Sequence, residues 1–190
     1  MALDVTDADR LLHVLDDAEA AFGTATILIN NAGIPDAQRA TKMSVEFIDL
    51  VLDTNLRGPY ILACDFARRV IAAERPGRIV NISSMGAFHY TGNGAALYSI
   101  TKAAINRMTE ALAVEWSKYH INVNGIAPGA FSSEMMDGML SRIGDIVQYF
   151  PRQRLGQPAQ MDSTLLYLCD PASALVTGTV IRIDDGQGTR

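Results

Sequence analysis

Short apolar runs with strand-like composition alternate along this chain with longer stretches whose apolar residues recur every three or four positions. Residues 1–5 (MALDV) read as the end of a strand, and Thr6 or Asp7 is placed to cap the helix that follows. Leu11, Val14, Leu15, Ala18 and Phe22 give that helix an apolar face, and Gly23 ends it. Residues 26–30 (TILIN) form a strand running into Asn31-Ala32-Gly33. A long helical region is expected over 44–74, interrupted near 55–59, and Pro76-Gly77 turns the chain into a strand at 78–84 (RIVNISS). A loop over 85–94 leads to a second long helix at 95–119, and a strand at 121–126 stops at Pro128-Gly129. Residues 131–150 lack a regular period and are rich in methionine. Pro158 opens a last helix ending near 170, and residues 180–183 read as a final strand. This alternation predicts an α/β fold, a doubly wound parallel sheet. With no internal repeat or linker, residues 1–190 read as one domain.

Open parallel sheets bind ligands at the carboxyl ends of their strands. The polar residues that end this chain's apolar runs, Asn30-Asn31, Ser83-Ser84 and Pro128-Gly129, lie at those ends and predict a ligand site there. Composition narrows the classes of ligand. Across 190 residues the hydrophobic fraction is 48%, the charged fraction 19% and the net charge -5. A foldable core is therefore expected, with no electrostatic case for nucleic acid or a membrane surface. Cys64 and Cys169 sit in apolar helical patterns and read as buried free thiols, which suits a cytoplasmic location. No apolar run is long enough to span a bilayer, and the first ten residues lack the pattern of a signal peptide. His13, His89 and His120 have no metal-like spacing, so no metal site is expected.

Tyr98 and Lys102 carry the candidate chemistry. Residues four apart share a helix face, so phenol and ammonium can approach each other. An ordinary phenol has a pKa of about 10, and a nearby cation lowers it towards the range useful for proton transfer. Taken alone the spacing is weak, and an interfacial tyrosine beside a solvated lysine is the commoner explanation of it. Ser84, at a strand end in the preceding segment, adds a hydroxyl able to hold a carbonyl oxygen. Strand alternation lets only one of Ser83 and Ser84 face the site, and Ser84 is preferred.

Together these segments resemble the short-chain dehydrogenase/reductase family. Asn30-Asn31-Ala32-Gly33 resembles its N-N-A-G motif, and Asn55-Leu56-Arg57-Gly58 its N-x-x-G segment. Asn81-Ile82-Ser83-Ser84 resembles the strand with the catalytic serine, and Tyr98 with Lys102 its Y-x-x-x-K pair. The stretch from Asn122 to Gly129, the Arg154-Leu155-Gly156 segment and Val176-Thr177-Gly178 continue the match in order. The resemblance implies a Rossmann-like fold and hydride transfer between NAD or NADP and an alcohol or ketone. Tyr98 would be the acid/base and Ser84 would orient the substrate oxygen. Lys102 would lower the Tyr98 pKa and bond the nicotinamide ribose. Asn55 would kink its helix and help hold a water. Asp4 and Val5 would meet the adenine, and Asn30, Ala32 and Gly33 the adenosine ribose, with Asn31 a structural brace. Pro128, Gly129, Phe131 and Ser133 would lie at the nicotinamide end.

His89 and Tyr90 follow Ser84 and are candidates to border a substrate, with plain surface the alternative. Met135, Met136, Met139 and Leu140 fall where the family carries its substrate lid and suggest a partly apolar substrate. A core or subunit contact is the alternative there. The helix at 95–119 resembles the family's dimerisation helix, implying a homodimer or homotetramer. The family's opening strand, glycine-rich turn, helix and second strand have no counterpart here, so the fold is expected to be N-terminally truncated, with the working protein beginning upstream. In the family's strand order, 3-2-1-4-5-6-7, that would leave residues 1–5 without a partner and residues 26–30 on an edge. The competing reading is a catalytically silent family member acting as a structural or interaction subunit. A dehydratase or epimerase of the extended branch fits less well, because the C-terminal part is short.

Overall fold

The computed structural model describes residues 2–188 apart from Thr91 and Asn93. Its sheet has four parallel strands in sequence order, β1 (Ile27–Asn30), β2 (Gly77–Ile82), β3 (Ile121–Pro128) and β4 (Val180–Ile183). The helices are α1 (Ala8–Leu11), α2 (Val14–Phe22), α3 (Val45–Leu52), α4 (Gly58–Ala72), α5 (Ala96–Trp116), α6 (Glu134–Ile143) and α7 (Asp162–Cys169). Strand alternation sends Ile79, Ile121 and Val123 to one face, where they pack with Phe66 and Val70 of α4 and with Ile105 and Leu112 of α5. Val80 and Ile126 point the other way, onto Leu168 of α7. Both faces of the sheet are covered, as its nearly continuous apolar strands require.

Several elements differ from the sequence reading. Met1 lies outside the described residues, and the remainder of the expected first strand, residues 2–5, forms no strand. No neighbouring strand supplies the ladder that would hold it extended. Asp4 instead closes a turn, its carboxylate accepting from the Thr6 N–H at 2.9 Å and the Thr6 hydroxyl at 2.8 Å. Asp7, not Thr6, caps the first helix by accepting from the Arg10 N–H. The expected single helix is broken between Leu11 and Val14. The region at 131–150 contains α6, which is capped by the Ser133 side chain and stopped at Gly144, where φ is 83°. β1 closes one edge of the sheet, with Ile27 44% and Ile29 42% exposed, matching the expected open edge.

Polar groups inside the core are tied to one another. The Asn30 amide donates to Asn81 Oδ1 at 2.9 Å, and the Asn81 amide to Thr109 Oγ1 at 2.9 Å. Thr109 in turn donates to the Ile105 carbonyl, so β1, β2 and α5 share one buried chain of hydrogen bonds. On the outer side, Arg69 of α4 reaches Asp65 at 2.8 Å, Asp16 at 2.7 Å and Glu19 at 2.9 Å, pinning α2 to α4. Breaking the inner chain strands buried donors and acceptors, which costs more than an average hydrogen bond contributes. Asn81→Ala is expected to lower stability by about 3 kcal/mol, read as a lower urea midpoint with an unchanged slope. A loss below about 0.5 kcal/mol would contradict the role given to this chain.

Candidate active site

The helical region at 45–72 does not run straight. Between α3 and α4 the chain passes through a π-helical turn over Asp53–Arg57, at the interruption expected from sequence. The wide turn places Asn55, 1% exposed, beside the loop after β1. Its Oδ1 accepts from the Ile34 N–H at 2.8 Å, and its Nδ2 donates to the Ile34 carbonyl at 2.9 Å and to Thr101 Oγ1 at 3.2 Å. Asn55 therefore ties the loop after Gly33 to α5. At Gly58, which follows the π turn, a Cβ would come within 2.5 Å of the Val5 carbonyl oxygen, so glycine lets residues 4–5 lie against this turn.

α5 carries Tyr98 in its first turn and Lys102 one turn on, on the same face. Lys102 is 4% exposed. Its Nζ donates to the Ile82 carbonyl at 2.8 Å and stands 5.7 Å from the Tyr98 ring centre. A Cβ on Gly33 would lie 3.2 Å from that Nζ and 3.4 Å from Asn55 Oδ1, so a side chain there would crowd the ammonium. Ser84, just beyond β2, accepts from the Gly86 N–H at 3.0 Å and lies close enough to the Tyr98 hydroxyl to lower its pKa. Ser83 is turned inward and donates to the Lys102 carbonyl at 3.2 Å, which leaves Ser84 as the serine facing the site. Asn55, Ser84, Tyr98, Lys102 and Gly33 thus come together at the carboxyl ends of β1 and β2.

The electrostatics depart from the sequence reading. Burial pushes the Tyr98 hydroxyl above its ordinary value, and the Ser84 hydrogen bond opposes this only in part. Burial also pushes Lys102 down to about 8. Lys102 was expected to lower the Tyr98 pKa. Here its Nζ hydrogen-bonds a backbone carbonyl, and loss of solvent dominates the phenol.

The expected cofactor contacts divide. Ala32 is exposed and Gly33 half-buried beyond the end of β1. Asn30 is buried, with its amide committed to Asn81, whereas Asn31 is exposed, so the bracing side chain is Asn30 rather than Asn31. The cause is strand parity: position 30 points into the chain of buried hydrogen bonds. Asp4 is exposed in its turn, and Val5 packs on the core. Pro128 ends β3, and the Gly129 N–H bonds the Ile183 carbonyl at 2.9 Å. Phe131 pairs with Gly156, where a Cβ would meet its ring at 2.8 Å. The Ser133 hydroxyl, expected at a carboxamide, caps α6 by accepting from the Met136 N–H at 3.2 Å. His89 and Tyr90 are exposed, and Met135, Met136, Met139 and Leu140 lie on α6, none of them buried. No cluster able to hold a metal exists among the described residues.

Sequence reasoning missed Asp36. It is 0% exposed, and its Oδ2 accepts from the Leu97 N–H at 2.9 Å and the Tyr98 N–H at 3.4 Å. The available signal was the lack of a capping side chain at Ala95 before α5.

Comparison with known proteins identifies the family and the fold. A family model described as enoyl-(acyl carrier protein) reductase matches residues 1–187. The chain is 32% identical over 189 residues to a 2-dehydro-3-deoxy-D-gluconate 5-dehydrogenase of Dickeya dadantii (strain 3937), covering 98% of this chain and 74% of that protein. A crystal structure of a short-chain type dehydrogenase/reductase from Mycobacterium marinum superposes with a TM-score of 0.93 at 30% identity, over 98% of this chain and 74% of that one. A 4-hydroxyisoleucine dehydrogenase complexed with NADH superposes with a TM-score of 0.86 at 27% identity, over 98% and 79%. With the family model spanning residues 1–187 and a relative 32% identical over 189 residues, the chain belongs to the short-chain dehydrogenase/reductase family.

Proposed function

We propose that this protein interconverts an alcohol and a ketone with a nicotinamide dinucleotide, NAD or NADP, and that Tyr98 exchanges the proton with the substrate oxygen. One observation carries the reading: Tyr98 and the buried Lys102 share one face of α5, and the Ser84 hydroxyl acts on the phenol beside them. A carbonyl oxygen brought to this pair would accept the Ser84 hydrogen bond and take the Tyr98 proton as charge develops on it. Burial raises the Tyr98 pKa, which favours the protonated phenol and so the donor role needed in reduction.

The residues present fit the nicotinamide end of such a cofactor. An ammonium has three donors, and among the described residues the Ile82 carbonyl is the one hydrogen-bond partner of the Lys102 Nζ. The remaining donors, held beside Gly33, suit a ribose hydroxyl. Ala32, Gly33, the Asn30 backbone, Pro128, Gly129 and Phe131 would line the same strand ends, with Asp4, Val5 and Ser133 at the margins. The bound cofactor supplies or accepts the hydride, and the protein supplies position and field. The Dickeya relative, named for a sugar-acid dehydrogenase activity, points to hydroxylated carboxylates as the first substrates to try. No described helix is long and apolar enough to cross a membrane. Ile100 and Val114 are 62% and 79% exposed on α5, and a second copy of the chain is the partner that would cover them.

Tyr98→Phe is expected to lower kcat by about a thousandfold, followed as NAD(P)H absorbance with gluconate, while calorimetric affinity for NADH stays within about threefold. Turnover equal to wild type would overturn the role of Tyr98.

The Lys102 shift also predicts a pH dependence of stability. Between its folded value of about 8 and the ordinary 10.5, the unfolded chain binds a proton that the folded chain has released. Stability contributed at this site therefore rises with pH across that window and is flat below it. Relative to Lys102→Met, wild type should gain about 2 kcal/mol between about pH 7.5 and about pH 9.5 in urea titrations. A flat or opposite trend would show that Lys102 is not held in a desolvated site.

A further inference from the structure

We propose that Asp36 is a positioning residue for Tyr98: from the loop after Gly33, its carboxylate caps α5 and fixes the backbone turn that presents the phenol. The proposal deepens the reading of Tyr98 as the proton-transfer group and rests on that reading for its kinetic arm alone.

A helix exposes unpaired N–H groups at its start, and its first turn frays unless they are satisfied. Ala95, at the N-cap position of α5, has no side-chain oxygen to offer. Asp36 fills that need from sequence positions 61 and 62 residues away, with Oδ2 shared between the Leu97 and Tyr98 N–H groups. The Tyr98 backbone itself is therefore one of the two groups held. A cap supplied at position 95 would steady the helix only relative to its own chain. A cap supplied by Asp36 steadies it relative to the loop that bears Gly33.

That loop is itself anchored. Asn55 holds both the N–H and the carbonyl of Ile34, two residues before Asp36, and its amide continues to Thr101, next to Lys102. The segments also touch near the helix start, where a Cβ on Gly94 would lie 3.3 Å from the Gln38 backbone, at a φ of +72°. Asn55 and Asp36 thus grip α5 at Thr101 and at Leu97–Tyr98, setting its first two turns against one loop.

The carboxylate is costly to keep there. Asp36 is 0% exposed, and its Oδ1 has no hydrogen-bond partner among the described residues. Burying a half-satisfied carboxylate is unfavourable unless a positive field offsets it, and the N-terminal end of a 21-residue helix supplies one. A capping need alone would be met by serine at position 95 without that penalty. What the remote carboxylate adds is registration of Tyr98 against Gly33 and Asn55, the groups that pack around Lys102.

The test uses amide hydrogen exchange by NMR and steady-state kinetics on the full chain. In Asp36→Ala, exchange at Leu97 and Tyr98 should quicken about tenfold or more, with Met108 and Leu112 of the same helix unchanged. Its kcat with gluconate and NAD(P) should fall by about tenfold, with KM for the dinucleotide changed less than about twofold. Asp36→Asn retains an acceptor oxygen and should keep both protection and kcat within about threefold of wild type. If Asp36→Ala does not fold, protection at Leu97 and Tyr98 in Asp36→Asn decides the matter, and its loss overturns the proposal. The double variant Asp36→Ala/Ala95→Ser should regain amide protection through a local cap while kcat stays low. Recovery of kcat as well would reduce Asp36 to an ordinary cap and overturn its positioning role. Equal exchange at Leu97 and Tyr98 in wild type and Asp36→Ala, or quickening spread evenly along α5, would also overturn it. Wild-type protein with the expected exchange pattern but no turnover would uphold the cap and sink the reading of Tyr98.

Discussion

The site depends on keeping one ammonium out of water. Lys102 lies at the carboxyl ends of β1 and β2, hydrogen-bonded to the Ile82 carbonyl, with Gly33 and Asn55 packed around it. Removing a charge from water is costly, and the cost appears as a Lys102 pKa driven down to about 8. The surroundings show what makes the burial tolerable: a backbone carbonyl accepts from Nζ, and a residue without a side chain stands beside it. Replace Gly33 with a larger residue and a side chain would press on the ammonium. The same burial acts on Tyr98 in the opposite sense, raising its pKa and favouring the protonated phenol.

Such a centre needs a stiff frame, and the frame is built from amides rather than ion pairs. Asn30, Asn81 and Thr109 join β1, β2 and α5, while Asn55 joins the π turn, the loop after Gly33 and Thr101. Each is buried, and each has partners of fixed geometry, so their hydrogen bonds resist sliding of α5 along the sheet. Apolar packing of Phe66, Ile79, Ile105 and Leu112 supplies the drive to assemble, but it is non-directional. The amides decide which assembled arrangement is kept. Asp36 extends the same logic to the one turn of α5 that lies beyond the sheet packing.

Much of this was legible in the sequence because it is periodic or local. The four strands of the sheet, the long helix from Ala96 and the break at Asn55 follow from apolar spacing and turn residues. Tyr98 and Lys102 share a face by arithmetic, and strand parity separates Ser84 from Ser83. What escaped depends on distance in space. Asp36 acts on amides some sixty positions along the chain, so no local pattern marks it. The Tyr98 pKa turns on burial and on the direction of the Lys102 Nζ, neither of which spacing reports. The bracing role expected of Asn31 falls to the Asn30 side chain, and alternation from the exposed Ile27 and Ile29 already sends position 30 inward. Residues 2–5 have strand-like composition but no neighbour to pair with, and composition alone does not make a strand.

Lysine titration by NMR of the 13Cε resonances tests the desolvated ammonium most directly, and the chain has only Lys42, Lys102 and Lys118 to assign. The account predicts that Lys102 titrates near 8, and that adding NADH moves its resonance while leaving Lys42 and Lys118 in place. A Lys102 resonance that titrates near the ordinary lysine value and ignores NADH would contradict it.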